Sequence, residues 1–141
     1  MTREHYTFRG TMQATETTRA LVVDDGRFTH GFVIESLEIW SGGVTLPAGF
    51  NSNACLSLYE TPPLTMNADQ GGTIAWSAWI QDTTNGIHYW SNIDPDHVIN
   101  QDLFLHNLGG TGFNYIIRMK PVVMTPEQGV LQLIKAVDNR S

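Results

Sequence analysis

The sequence predicts an all-β fold, an antiparallel β-sandwich of jelly-roll type with a short C-terminal helix, and three observations carry that expectation. Most of the chain runs in short segments of alternating polarity, and clusters of Gly, Pro, Asn and Asp separate them. The period becomes helical only near the C-terminal end, from Thr125 onward. No strand–helix–strand alternation is present, and a parallel sheet would need one.

HYTFRGTM and RALVV are the first two expected strands, leading into a turn at Asp24 to Gly26. The next segment, RFTHGFVIESLEIWS, is too long for one flat strand. Phe32 and Ile34 share a parity that Leu37 and Ile39 do not, so one core can hold all four only if a β-bulge shifts the phase near Glu35 and Ser36. After the loop GGVTLPAGFNSN, ACLSLYET places Leu56 and Leu58 on one face and Cys55 and Tyr59 on the other. The polar loop PPLTMNADQGG follows.

In TIAWSAWIQDTTNGIHYWSNID, Asn85 and Gly86 suit the two positive-φ positions of a two-residue type I′ hairpin turn. That turn predicts Gln81 opposite Trp90, Asp82 opposite Tyr89, Thr83 opposite His88 and Thr84 opposite Ile87. One face then holds Trp76, Ala78, Ile80, Asp82, Tyr89 and Ile93 toward the core. The other presents Trp79, Gln81, Thr83, His88, Trp90 and Asn92. Two more strands are expected: HVINQDLFLHN, with Ile99, Leu103 and Leu105 in phase, and FNYIIRMK, with Phe113, Tyr115, Ile117 and Met119 in phase. In TPEQGVLQLIKAV, Thr125 is an N-cap, Pro126 suits the first helical position and Gln128 completes a capping box. Val130, Leu133, Ile134 and Val137 form one helical face, and Gly129 speaks against the helix.

The 141 residues make one domain, 1–141, able to bury roughly two-thirds of its unfolded surface. At 41% apolar and 16% charged, the chain can build a core but carries little of the surface charge that keeps monomers apart, which points to surface covered by partners. The net charge is −6 and the eight Lys and Arg residues are scattered, so nucleic acid is not an expected partner. MTREHYTFRG lacks the apolar stretch of a signal peptide, and no run approaches the ~18 apolar residues of a membrane helix. Neither export by such a signal nor membrane insertion is expected. The lone Cys55 reads as a buried, inert thiol.

Five histidines, His5, His30, His88, His97 and His106, raise a metal hypothesis of the cupin type. They lack His-x-His or His-x-x-x-His spacing, so isolated roles are expected and no metal or other cofactor is predicted. Asn92, Asp94, Asp96, Asn100 and Asp102 are oxygen ligands of the kind calcium accepts, without the Gly and terminal Glu of an EF-hand loop; Asx-type turn bonds at Asp94 and Asp96 are the expected alternative. Glu35, Glu38, Glu60, Asp82 and Asp94 are the carboxylates from which a glycosidase pair would be drawn, but sequence does not reveal their separations. No Gly-x-Ser-x-Gly elbow occurs and no catalytic residue is predicted. Trp79 and Trp90, with Gln81, His88 and Asn92 around them, are the expected interface or ligand platform, either buried against another subunit or open as a stacking surface for sugar rings.

The segments IDPDHVINQDLFLHN and NYIIRMKPVVMTPEQGVLQLIKAV, roughly the last 50 residues, resemble the ends of small virion structural proteins of tailed phages. The resemblance implies a capsid decoration, cement or minor capsid protein, located in the virion and working in repeated copies. The expected function is accordingly non-catalytic: a homo-oligomer whose loops at 41–53 and 62–73 and whose Trp79/Trp90 face contact like subunits or other capsid proteins. A carbohydrate-binding or receptor-binding module is the alternative, with a glycan as partner, and a cupin-like metalloenzyme the third reading.

Overall fold

A computed structural model of the protein describes residues 5–21, 29–41, 51–63, 65–68, 72–82 and 86–138. Among these residues nine strands and one helix succeed one another: β1 (Tyr6–Met12), β2 (Thr18–Leu21), β3 (His30–Trp40), β4 (Asn51–Ser57), β5 (Thr73–Asp82), β6 (Gly86–Ile93), β7 (Val98–Ile99), β8 (Leu103–Asn107), β9 (Phe113–Val123) and α1 (Pro126–Asp138). They form two antiparallel sheets, β1-β9-β3-β7 and β2-β8-β4-β5-β6. The chain changes sheet at almost every step. This is the double-wrapped order of a jelly roll, with β6 added as an extra edge strand.

The core lies between the sheets. From the four-stranded sheet come Met12, Ile34, Leu37, Ile39, Phe113, Tyr115, Ile117 and Met119; from the other come Ala54, Leu56, Ala75, Leu103 and Leu105. In β9 the alternation of Phe113, Tyr115, Ile117 and Met119 delivers all four to the core, as the pattern predicts. In β3 the register passes from Ile34 opposite Met119 to Ser36 opposite Arg118, leaving Glu35 as the extra residue. The bulge expected from the parity change is thus present, and it keeps Phe32, Ile34, Leu37 and Ile39 on one side. A second shift, between Leu56 and Ser57 of β4, lets the consecutive Ile74 and Ala75 of β5 both reach the core.

Three expectations need correction. HVINQDLFLHN is not one strand. Val98–Ile99 pairs with β3 in one sheet and Leu103–Asn107 with β4 in the other, so Ile99 and the pair Leu103 and Leu105 enter the core from opposite sides. Helix α1 forms with its capping box: Gln128 N donates to Thr125 Oγ1 at 3.3 Å, and Thr125 N donates to Gln128 Oε1 at 3.0 Å. Its apolar face does not close the core, however. Val130, Leu131 and Ile134 are exposed, and the helix is held near Gly129, which is buried and whose carbonyl accepts a bond from Asn100 Nδ2 at 3.0 Å.

The third correction concerns the β5–β6 hairpin. Its ladder pairs Asp82 with Gly86, Gln81 with Ile87, Trp79 with Tyr89 and Ala78 with Trp90, so three residues rather than two separate the paired ends. Gly86 has φ +85°, the left-handed geometry that closes a three-residue hairpin loop. Relative to the expected two-residue turn the register moves by an odd number of residues, which exchanges the faces of one strand against the other. The core side of the hairpin carries Ala75, Trp79 and Ile93, with Tyr89 opposite Trp79; Trp76, Ala78, His88, Trp90 and Asn92 lie on the outer side. The expected pairings of Thr83 and Thr84, the role of Asn85 and the turn at Asp24 to Gly26 fall outside the described residues, as do residues 42–50, 64 and 69–71 of the two loops expected at interfaces.

Candidate functional site

The expected platform therefore does not form as one face. Trp79 and Gln81 point to the sandwich interior, while His88, Trp90 and Asn92 are exposed on the outer side of β6. Yet Trp79 and Trp90 border the same groove. It has a volume of about 430 Å³ and opens where the end of β3 meets the β5–β6 hairpin; Glu38, Trp40, Ser77, Trp79, Tyr89, Trp90 and Ser91 line it.

Each wall follows from local sequence. The bulge at Glu35 sets the phase that turns Leu37 and Ile39 inward and leaves Glu38 and Trp40 at the surface. Trp79 and Tyr89, directly paired across the ladder, stack with centroids 5.7 Å apart and planes at 21°. Such a pair stabilises the hairpin by about 0.5–1.5 kcal/mol beyond area burial. Trp79 packs on the core, whereas Tyr89 is 74% exposed, so the stack runs from the interior to the water. Ser77 Oγ donates to the Trp90 carbonyl at 3.2 Å and ties the outer strand to its neighbour. The Trp79 indole N–H is buried and finds no acceptor among the described residues, and the Gln81 Oε1 is likewise unpartnered.

Electrostatically the groove is close to neutral. Glu38 is the sole charged lining residue among those described, and the Arg118 guanidinium lies 3.7 Å from that carboxylate at the surface. Three of the chain's four tryptophans line the groove. Tyr89 and Trp40 do not figure among the sequence-predicted site residues, and Glu38 figures only as a candidate glycosidase carboxylate. The signal for Tyr89 lay in the hairpin, since a three-residue loop at Gly86 places it against Trp79.

Two of the other candidates hold structural positions. Asp96 N donates to Asp94 Oδ1 at 3.2 Å, the Asx-type turn expected there. Cys55 is fully buried, and burial pushes its thiol up to about 12, so it is inert at neutral pH. Among the described residues no three His, Cys, Asp or Glu side chains gather in metal-binding proximity. No described helix is long and apolar enough to cross a membrane.

On the outer face of the larger sheet, His106 is fully buried beside Cys55, its partner across the ladder. Its Nδ1 lies 2.9 Å from Thr18 Oγ1, and its Nε2 lies 2.6 Å from Ser57 Oγ and 3.0 Å from the Tyr59 carbonyl. A carbonyl only accepts, so the network assigns the proton to Nε2, with Nδ1 accepting from Thr18. Burial holds the imidazole below its usual pKa, opposed by the bond to Tyr59. The Ser57–His106 contact has the spacing of a nucleophile and base, but both side chains are buried and serve to pin the backbone at Tyr59. Gly72, at φ +80°, completes this layer, because a Cβ there would overlap the Tyr59 ring.

Comparison with protein families, with characterised proteins and with solved structures returns no significant match.

Proposed function

We propose that the chain is a non-catalytic structural protein of a virus particle, a capsid decoration, cement or minor capsid component acting through self-association and contacts with other capsid proteins. The observation that supports this most is the edge strand β6, which has no outer neighbour among the described residues. Among the sheet margins, β2 is four residues long and carries Arg19, β7 has two residues, and β1 carries Arg9. Strand β6 is eight residues, GIHYWSNI, with no Lys, Arg, Asp, Glu or Pro, and all but its last residue are exposed. Proteins that remain monomeric blunt such an edge with charge, proline, a bulge or a covering segment. An unblunted antiparallel edge is self-complementary about a two-fold axis, so a second copy is its natural occupant. Exposed Ile87, Tyr89 and Trp90 add apolar and aromatic area to that contact.

The virion placement draws on two further supports: the resemblance of the C-terminal part to tailed-phage structural proteins, and the jelly-roll order of the sheets, an architecture shared by viral capsid proteins, lectins and cupins. Sedimentation velocity at micromolar concentration is expected to show a dimer or larger species that Ile87→Lys converts to monomer without loss of the β-type circular dichroism spectrum. A wild-type monomer would defeat the self-association. Mass spectrometry of gradient-purified particles is expected to find the chain at a fixed ratio to the major capsid protein, and its absence would defeat the virion role.

A further inference from the structure

We propose that the groove between β3 and the β5–β6 hairpin is a binding site for a neutral carbohydrate, a short oligosaccharide that stacks a pyranose ring on Tyr89. The groove shares Tyr89 and Trp90 with the self-association contact argued above, but its lining comes from one copy of the chain and does not rest on that contact. Its volume of about 430 Å³ lies within the range of roughly 300–1,000 Å³ in which small ligands are held.

The lining selects the ligand class. Trp40, Trp79 and Tyr89 offer aromatic faces and edges, and Tyr89 presents its ring to solvent while Trp79 backs it at 5.7 Å. A ring held from behind does not have to be ordered on binding, which lowers the cost of stacking. The polar groups open to a ligand are the Ser91 hydroxyl and the Glu38 carboxylate, a donor–acceptor and an acceptor at the rim of an aromatic surface, while the Ser77 hydroxyl is buried and donates to the Trp90 carbonyl. A pyranose matches it with apolar C–H faces and equatorial hydroxyls that both donate and accept. An anionic ligand finds no Lys, Arg or His among the lining residues and meets a chain of net charge −6. A quaternary ammonium would be drawn to the aromatic rings, but the one carboxylate that would complete its charge faces Arg118 at 3.7 Å.

Because three of the four tryptophans line the groove, intrinsic fluorescence reports its occupancy directly. The protein is titrated with cellotetraose, maltotetraose, chitotetraose, mannotetraose and lactose, with choline and heparin as charged comparators, and saturation-transfer NMR confirms contact. At least one neutral sugar is expected to give a saturable change. Tyr89→Ala is expected to weaken it by about tenfold, while Tyr89→Phe, which keeps the ring, stays near wild type. The proposal is overturned if none of the neutral sugars saturates, if choline or heparin saturates in their place, or if Tyr89→Ala binds as tightly as wild type with an unchanged melting temperature.

Discussion

The two ends of the five-stranded sheet are built to different standards. At the β2–β8–β4 end both faces are covered: Leu56 and Leu105 enter the core, and on the reverse side Cys55, Ser57 and His106 are buried with the polar atoms of Ser57 and His106 bonded. At the β5–β6 end the outermost strand is exposed along nearly its whole length, and a stacked aromatic pair marks the passage from core to solvent. Satisfied polar groups and close packing supply stability at the first end. Exposed aromatic area and, among the described residues, an unpaired strand edge at the second do little for folding. Closely packed, bonded structure and exposed aromatic structure thus lie at opposite margins of one sheet.

The largest effect that sharpens this contrast is expected from core truncation. Leu105→Ala should cost about 2–5 kcal/mol in denaturant unfolding, whereas Ile87→Ala in β6 should stay within about 0.5–1 kcal/mol. Equal losses would erase the distinction. Acid should act through the buried end as well. The folded state holds His106 below its usual pKa, so as pH falls below about 6.5 the unfolded chain takes up a proton that the folded one refuses. Stability present above that pH is lost between the ordinary value and the depressed one, at no more than about 1.4 kcal/mol per pH unit. Urea unfolding from pH 7.5 to 5 should show this slope in the wild type and a smaller one in His106→Gln; matching slopes would assign the acid sensitivity to other groups. The smallest effect is expected at the β2 margin, where Glu16 and Arg19 pair at 2.6 Å with both side chains about a third exposed. Arg19→Ala should change stability by at most about 1 kcal/mol, and a larger loss would mean that its bond to the Tyr115 hydroxyl matters more than the ion pair.

How much of this was legible in the sequence differs between neighbouring elements. The parity conflict between Ile34 and Leu37 announces the β3 bulge, because only an extra residue puts both on one face. The capping box at Thr125 and Gln128 is equally local. The hairpin is local too, but Asn85-Gly86 suits two loops whose registers differ by an odd number, and each sends different tryptophans inward. Nothing within the hairpin decides between them; the packing of Trp79 on the core does. The groove was less legible still, since Glu38 and Trp40 reach it from a strand of the other sheet.

Periodicity and turn chemistry by themselves determined the all-β class, the inward faces of β3, β8 and β9, the buried thiol at Cys55 and the start of the helix, because these depend on a residue and its neighbours within one strand or turn. Tertiary structure alone decided which sheet Ile99 and Leu103 belong to, that Val130 and Ile134 of α1 are left exposed, and that Tyr89 rather than Trp90 stacks on Trp79. Those outcomes depend on which surfaces meet across the sandwich. Side-chain alternation is unchanged when a strand moves from one sheet to the other or when a hairpin slips, so the competing arrangements are separated by burial summed over both sheets, a quantity that no single segment contains.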